Sequence, residues 1–542
     1  MRQRGRMAPP MSLLSGAIYI GYHTMLAIKA CLAAIGGAIV AVHPGESAPV
    51  SARTRRLDVL LLAVALVAVA SWPNFGALRG PNRPIYLHDF FHYYIGAKYF
   101  GELGYTRIYQ CTAVAEIDEG RLIDVARRWQ TDLHTDAPIV HAPTASEQAE
   151  CRDRFGDRWS TFRSDIEWFR SHMRPTEWKG VQTDLGFNAT PTWAAVGHWL
   201  AGRGPISDAS ATSLAALDYG LLASMCVIIW RTFGQRTCCV AALWWALSEP
   251  TSFFWLGGAF LRHDALFLIV AATCALKRGW WGVAGISLAA AVFLRAYPAL
   301  ILAGVAIHVV NRVRVDGFGG LDSRYRSLVA GLAGGAVLLV ALTQITWDQR
   351  GITATEPWRA FVANSSKHLS TPSTGTIGLR TLLSFSEASR TANVERFWLD
   401  EPWDTWRAAR TRVFESRRWV YWALVLPFLI LFTVAARKTP AWVALVLGVA
   451  LLPIVANLNS YYYSVLLVFA FLWPADRLIG VALAALSAFT NVLPFVLTVR
   501  DDRTVAMSAA FVLFSTWVVL RANSARVSAR LLAPATAEAR ST

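Results

Sequence analysis

Residues 53–73 read RTRRLDVLLLAVALVAVASWP, an arginine-rich start followed by an apolar run that ends at a tryptophan and a proline. Such a run predicts a membrane helix, and arginines beside a span are typical of its cytoplasmic end. The whole chain has the same character, because 54% of its 542 residues are hydrophobic and only 16% are charged. A soluble protein of this length would carry more charge. The sequence therefore predicts an all-α polytopic membrane protein.

Apolar runs recur along the chain and predict about twelve membrane helices. With 58–73, the predicted spans are 209–230, 237–258, 264–277, 279–295, 297–311, 327–346, 419–436, 441–457, 461–475, 478–498 and 504–521. Basic residues at alternate junctions, such as Arg231, Lys277 and Arg437, predict that these junctions are cytoplasmic. The first large loop (74–208) and the second large loop (347–418) then both lie on the outer side. The formal charge of +16 is interpreted as topological, with no nucleic-acid partner.

The chain divides into four parts. They are an N-terminal basic and apolar extension (1–57), a transmembrane module that includes both large loops (58–475), C-terminal membrane helices (476–521) and a basic tail predicted to be disordered (522–542). Residues 11–42 are consistent with a signal anchor, a membrane helix or an interfacial helix. Residues 191–200 are apolar but too short for a span, and they are interpreted as juxtamembrane or re-entrant.

The chain has seven cysteines, and two of them, Cys111 and Cys151, lie in the first large loop. If this loop faces an oxidising compartment, these two are a plausible disulfide. No Cys-x-x-Cys pair and no His/Cys cluster with the spacing of zinc ligands is found, so no metal site and no cofactor are predicted. No acidic cluster compels a metal ion either, and dependence on a divalent metal stays open.

The segment LHDFFHYY (87–94) places a carboxylate just after the first clear span. Because a carboxylate is costly to desolvate at a membrane, Asp89 is a candidate functional residue. As a general base it could remove the proton from an acceptor hydroxyl. The alternative is that Asp89 only caps a helix that begins at Phe90. The same helical start carries three further candidate substrate-binding residues: His88, His92 and Tyr93.

Two predicted outer turns carry an arginine, LRHD (261–264) and FLRAYP (293–298). Arg262 and Arg295 are suited to binding a phosphate. The alternatives are that Arg262 pairs with Asp264 and that Arg295 extends its charged head from the membrane to water.

Two further stretches contain candidate substrate-binding residues. NSSKHLST (364–371) is rich in donors, so Lys367 and His368 could hold a sugar or a diphosphate, or lie in an ordinary solvated loop. NSYYY (459–463) includes Tyr462, for which anchoring at the membrane interface is the default interpretation. No G-x-x-x-x-G-K-[ST] motif is present, which disfavours nucleotide-driven transport.

Four of these regions together resemble the GT-C superfamily of integral-membrane glycosyltransferases. Within it they are similar to glycosyltransferase family eighty-seven, the polyprenol-phosphate-mannose-dependent mannosyltransferases and their bacterial relatives. The matching segments are Asp89–Lys98 with Gly104-Tyr105 and Ile108-Tyr109, Pro191–Leu200, Gly285–Pro298 and Ser460–Tyr463. The chain departs from the family pattern at Thr190-Pro191-Thr192, at Tyr462, where the family often has His, and at Arg295, where Lys is more usual.

The resemblance implies a GT-C-like bundle with its active site on the periplasmic face of a bacterial inner membrane. It implies inverting transfer of a mannose-like sugar from a polyprenyl-phosphate donor to a lipid or glycan acceptor. Asp89 would be the general base, and Arg295 and Arg262 would bind the leaving phosphate.

Two other functions are open to a chain of this kind. One is a membrane transporter or lipid flippase for envelope precursors. The scarcity of ionisable residues in the middle of the predicted spans, and the lack of repeated halves, disfavour this function. The other is a non-catalytic scaffold for envelope assembly, in which Asp89 and Arg295 would tolerate substitution.

Overall fold

The computed structural model describes residues 19–45, 51–78, 84–348, 351–353, 355–370, 372–391 and 402–524, with 527 and 531. In chain order the α-helices are α1 (Tyr22–Val42), α2 (Ala52–Ser71), α3 (Leu87–Lys98), α4 (Phe100–Leu103), α5 (Ile108–Asp118), α6 (Leu122–Ala126), α7 (Ala145–Phe155), α8 (Trp159–His172), α9 (Pro175–Val181), α10 (Pro191–Ala201), α11 (Asp208–Leu247), α12 (Phe253–Leu256), α13 (Asp264–Arg278), α14 (Trp281–Leu294), α15 (Pro298–Asp316), α16 (Ser323–Asp348), α17 (Glu356–Ser370), α18 (Leu379–Ser384), α19 (Pro402–Ser416), α20 (Arg418–Lys438), α21 (Ala441–Gly448), α22 (Leu452–Val455), α23 (Arg477–Val496) and α24 (Arg500–Asn523).

The described residues also include two short antiparallel strand pairs and several 3₁₀ helices. β1 (Gln130–Asp132) pairs with β2 (Ala137–Ile139), and β3 (Thr376–Ile377) pairs with β4 (Leu458–Asn459). The 3₁₀ helices are Asn74–Gly76, Gly156–Arg158, Glu249–Thr251, Phe318–Gly320, Glu387–Ser389, Val449–Leu451 and the long Ser460–Leu472.

Seven helices within the described ranges are long and apolar enough to cross a bilayer: α1, α11, α15, α16, α20, α23 and α24. In α16 only 17% of the most apolar window is buried inside the protein, and Val337 and Leu338 are mostly exposed. So much outward-facing apolar surface is costly in water and stable against lipid. The protein is therefore a helical membrane protein, as its composition predicts.

The predicted number of spans, about twelve, is larger than the number of these long apolar helices. The predicted span 209–230 falls on α11, and the predicted span 237–258 begins on α11 and extends past its end at Leu247. Between these two spans Gly234 interrupts the helical backbone with φ 86° and ψ 169°. Glycine adopts such a positive φ without the clash that a Cβ would cause. The predicted spans 279–295 and 461–475 are shorter apolar helices, Trp281–Leu294 and Ser460–Leu472. The count of twelve stays a prediction.

The N-terminal extension packs with the C-terminal helices. Helix α1 contacts α2, α11 and α23. At one end of these helices Asp58 accepts from the guanidinium of Arg236 at 2.7 Å and lies 3.0 Å from Nε2 of His43. Of the alternatives for residues 11–42, the described part is an apolar helix of spanning length. The predicted disordered tail, 522–542, lies mostly outside the described residues.

The first large loop folds as a helical unit, α3 to α10, with its own aromatic core. Buried rings of Phe90, Phe91, Phe169 and Trp178 pack together, with centroids 5.3 Å apart for Phe91 and Phe169. Cys111 of α5 and Cys151 of α7 form a disulfide, with Cα atoms 5.5 Å apart. Helix α10 covers the short apolar segment 191–200 and packs against α3 and α16. The loop therefore holds α3, and with it Asp89, in a rigid position.

Replacing Cys111 and Cys151 together by alanine is expected to destabilise this unit. The disulfide closes a sequence separation of 40 residues, and loop-closure entropy then predicts a loss of about 4 kcal/mol in the free energy of unfolding. Thermal unfolding of the purified protein, followed by tryptophan fluorescence, measures the change. The control is Cys31→Ala, because Cys31 is a free and exposed cysteine. Equal unfolding of the double variant and the control would contradict the prediction.

Candidate functional site

Tyr93 lies where two arginines from distant segments meet. Its hydroxyl accepts from Nη1 of Arg262 at 3.0 Å and from Nη1 of Arg295 at 2.9 Å. The same hydroxyl donates to Oδ1 of Asn188 at 3.3 Å. Burial raises the pKa of Tyr93 to about 12, so the phenol keeps its proton at neutral pH. The three predicted residues Tyr93, Arg262 and Arg295 thus form one cluster.

Asp89 lies next to this cluster. Its Oδ1 is 3.3 Å from Nη1 of Arg262, and its side chain is 14% exposed. Its other oxygen, Oδ2, is buried without a hydrogen-bond partner among the described residues. Because α3 begins at Leu87, Asp89 lies inside the first turn and is not the cap of a helix that begins at Phe90. A buried carboxylate oxygen without a donor is unusual, and it is available to accept a proton.

Arg295 is held by contacts on each side of its guanidinium. Its Nε donates to Oδ1 of Asp264 at 3.2 Å, and its Nη2 donates to the carbonyl of Leu261 at 3.0 Å. The indole of Trp193 donates to the other oxygen of Asp264 at 2.7 Å. Asp264 therefore pairs with Arg295, and Arg262, whose pairing with Asp264 was the alternative from the sequence, pairs with Asp89 instead.

The end of α14 and the start of α10 are joined beside Arg295. Thr190 caps α10 by accepting from the backbone N–H of Trp193 at 3.1 Å. Its hydroxyl donates to the carbonyl of Phe293 at 2.5 Å. Proline at the first position of α10 suits a helix start, because its missing N–H has no helical partner there. The Thr190-Pro191 pair thus positions Trp193 against Asp264.

The backbone before Arg262 is tightly constrained. Leu261 has φ 49°, a left-handed conformation that is unfavourable for a residue with a side chain. Gly258 has φ 71°, and a Cβ there would come within 2.0 Å of the carbonyl oxygen of Pro84. The N–H of Tyr86 donates to the carbonyl of Gly258 at 3.0 Å. This close approach joins the start of α3 to the segment that carries Arg262.

Arg262 is enclosed by tyrosines. Its Cζ lies 3.9 Å from the ring centroid of Tyr461 and 5.6 Å from that of Tyr462. Its Nε is buried and has no hydrogen-bond partner within the described ranges. The predicted residue Tyr462 also contacts Tyr297, with ring centroids 5.0 Å apart. These rings favour a cation, and they leave one donor of Arg262 available to a ligand.

The cavity at this cluster is small. It is lined by Leu256, Arg262, His263, Asp264, Ala265, Leu266, Arg295, Tyr297, Tyr461, Tyr462 and Ser464. Its free volume of about 10 Å³ has room for roughly one water molecule. A ligand as large as a phosphate therefore has to displace side chains here.

His88 and His92 lie on the same helix as Asp89. Nε2 of His88 is 3.0 Å from Oδ2 of Asp184, and Nε2 of His92 is 2.7 Å from the hydroxyl of Tyr109. Burial opposes the charge on His88, yet its hydrogen bond to Asp184 raises its pKa above the ordinary value. Burial lowers the pKa of His92, which is therefore neutral near pH 7. The ligand atoms of His88, His92 and Asp184 lie within 4.8 Å of one another, so these residues could hold a metal ion.

Asp184 and the metal-ligand set were not predicted from the sequence. A signal was present in the i, i+4 spacing of His88 and His92, which puts both on one helix face. Asp184 carries no such signal, because its place beside them depends on the fold of the whole first large loop.

Lys367 and His368 join the two large loops. Both contact the buried carboxylate of Asp136, with Nζ of Lys367 at 3.0 Å and Nδ1 of His368 at 2.9 Å. Arg407 donates to the carbonyl of Asp136 at 2.6 Å. Lys367 also lines a cavity of about 680 Å³ between the loops, together with Tyr105, Arg107, His134, Arg154 and Asn364 among others. Substrate binding by Lys367 and His368 stays a prediction.

Comparison of the chain with protein-family models, with curated proteins and with solved structures finds no match.

Proposed function

We propose that the protein is an inverting glycosyltransferase that moves a mannose-like sugar from a polyprenyl-phosphate donor to a hydroxyl of a lipid or glycan acceptor. Asp89 is the general base, and the reaction takes place on the periplasmic face of a bacterial inner membrane. The observation that supports this proposal best is the unpartnered oxygen of Asp89, whose other oxygen lies beside the buried Arg262. Arg262 in turn shares the Tyr93 hydroxyl with Arg295.

The charges of the cluster suit such a transfer. Asp89 balances Arg262, and Asp264 balances Arg295. When the acceptor oxygen bonds to the anomeric carbon, the sugar–phosphate bond breaks and the acceptor proton moves to Asp89. Negative charge then passes from Asp89 to the leaving phosphate. Arg262 thus exchanges its ion pair with the Asp89 carboxylate for an ion pair with the phosphate. Stabilisation that grows as the phosphate leaves accelerates the chemical step.

The two arginines have different tasks in this mechanism. Arg295 has defined partners at Nε, Nη1 and Nη2, so it is fixed in place. Arg262 has a buried Nε that is free of hydrogen bonds to described residues. Arg262 is therefore the residue that contacts the phosphate directly. Arg295 holds the Tyr93 hydroxyl in position and supplies a fixed positive charge.

The full chain in lipid nanodiscs, supplied with polyprenyl-phosphate [14C]mannose and membrane lipids from its host, tests the proposal. We expect label to move from the acid-labile donor into an acid-stable product. A transporter or flippase would instead move intact donor across the membrane of proteoliposomes. Label that stays in the donor, or donor that crosses without covalent transfer, would exclude the glycosyltransferase.

Arg262→Gln is expected to raise the donor KM and to lower kcat, with a loss of roughly 10- to 100-fold in kcat/KM, the size of a lost hydrogen bond to a charged group. The matched control is Arg203→Gln, because Arg203 is an exposed arginine of the first large loop. Donor titrations with both variants measure the effect. A kcat/KM equal to that of the control would mean that Arg262 does not contact the phosphate.

A further inference from the structure

His88, His92 and Asp184 form a cluster to which the proposed transfer assigns no reaction step. The histidines are one turn apart on α3, and Asp184 comes from the segment between α9 and α10. One ligand atom from each residue lies within 4.8 Å of the other two. Tetrahedral zinc with bonds of about 2.1 Å separates its ligand atoms by about 3.4 Å, so a small inward movement of side chains completes the geometry.

The contacts behind His92 orient it as a ligand. Its Nε2 lies 3.1 Å from the carbonyl of Val181 and 2.7 Å from the hydroxyl of Tyr109. In the tautomer with the hydrogen on Nε2, both of these oxygens can accept from it. Nδ1 then keeps its lone pair. Metal-binding histidines usually donate their other ring N–H to a carbonyl or a carboxylate in this way.

Asp184 is oriented in a similar manner. Its Oδ1 accepts from the backbone N–H of Leu185 at 2.8 Å, while its Oδ2 faces His88. The hydroxyl of Tyr109 accepts from the N–H of Gly186 at 3.1 Å and lies 2.7 Å from Nε2 of His92. Tyr109 thus joins the Asp184 segment to His92. A cation bound by Oδ2 of Asp184 and by His88 would replace the present contact between these two side chains.

The ion pair between His88 and Asp184 stabilises the fold too little to explain why the three residues lie together. The side chains are 31% and 49% exposed, and ion pairs this exposed contribute little to stability. The same exposure leaves a path for an ion to enter and a coordination position for water. Two imidazoles and a carboxylate suit zinc and neighbouring transition metals better than calcium or magnesium.

We propose that His88, His92 and Asp184 bind one divalent transition-metal ion of the zinc class, with water at the remaining position. The ion joins α3 to the segment that carries Asn188, the acceptor of the Tyr93 hydroxyl. Binding can be measured without any substrate, so this proposal stands or fails separately from the sugar transfer.

The test is a titration of the chelator-treated full chain in detergent with Co²⁺, followed by the visible absorption of tetrahedral cobalt and by competition with Zn²⁺. The expected result is one Co²⁺ per chain, displaced by Zn²⁺, with at least about 10-fold weaker binding by His88→Gln and by Asp184→Asn. Thermal unfolding of the metal-free proteins checks that both variants fold.

The matched control is His141→Gln. His141 is another exposed histidine of the first large loop, and it pairs with Glu147 outside the cluster. It is expected to bind cobalt as the unsubstituted protein does. The proposal is overturned if the unsubstituted protein binds cobalt no more tightly than the variants of His88 and Asp184, or if His141→Gln weakens binding equally.

Discussion

Asp89→Asn is expected to lower kcat for sugar transfer by about 10²- to 10⁴-fold, the usual contribution of a general base. Asparagine keeps the shape of the side chain but cannot take up the acceptor proton. Because the buried Oδ2 has no donor among the described residues, the exchange disrupts no hydrogen bond at this atom. The loss is therefore expected in the chemical step and not in folding.

The same variant separates catalysis from charge pairing. If Asp89 only balanced Arg262, removing its charge would leave kcat unchanged and strengthen binding of the anionic donor, since Arg262 would have no competing anion. Steady-state kinetics and a direct binding assay with the donor measure the two quantities. Asp124→Asn, at an exposed carboxylate of the first large loop, is the control. An unchanged kcat in Asp89→Asn would show that Asp89 is not the general base.

Asp165→Ala is expected to destabilise the first large loop by about 3–5 kcal/mol, as breaking a buried ion pair does. Oδ2 of Asp165 accepts from Nζ of Lys98 at 2.6 Å and from the hydroxyl of Tyr99 at 2.8 Å. Its Oδ1 accepts from the N–H of Ile206 at 2.7 Å. Since the side chains of Lys98 and Asp165 are both 0% exposed, alanine leaves a buried ammonium without its anion.

Hydrogen exchange of α3 and α8 in the native protein measures this loss. Lys98 is the last residue of α3, the helix that carries Asp89 and Tyr93, so faster exchange of α3 is expected together with lower transfer activity. Asp157→Ala, at an exposed carboxylate just before α8, is the control. Lys98→Met with Asp165→Leu is expected to recover only part of the stability. It removes the unpaired ammonium, but it leaves the Tyr99 hydroxyl and the Ile206 N–H without their acceptor. Exchange at the control rate in Asp165→Ala would contradict the prediction.

Some residues of the candidate site could be predicted from the sequence because their immediate neighbours in the chain make them unusual. Asp89, Arg262 and Arg295 each follow or precede an apolar run, and a charge in such a place is costly without a function. The structure brings Arg262 and Arg295 together at the Tyr93 hydroxyl and pairs Asp89 with Arg262. Lys367 and His368 were chosen for their donor-rich surroundings, and that signal does not distinguish a ligand site from the contacts that both residues make with Asp136.

The residues that pair with the candidates could not be predicted. From the sequence, Asp264 is the natural partner of Arg262, two positions away. The left-handed backbone at Leu261 and the contact of Gly258 with Pro84 bring Arg262 to Asp89 and leave Asp264 to Arg295. Asn188 and Asp184 reach the site only because the first large loop folds back onto α3.

The amino-acid sequence by itself determined that this chain is a helical membrane protein. Apolar runs of spanning length have one stable solution in a bilayer, in which each helix satisfies its own backbone hydrogen bonds. Only the tertiary structure decided which carboxylate balances which arginine, and that two histidines share a cluster with Asp184. Those pairings depend on packing between segments far apart in the chain, and no local pattern of residues encodes such distances.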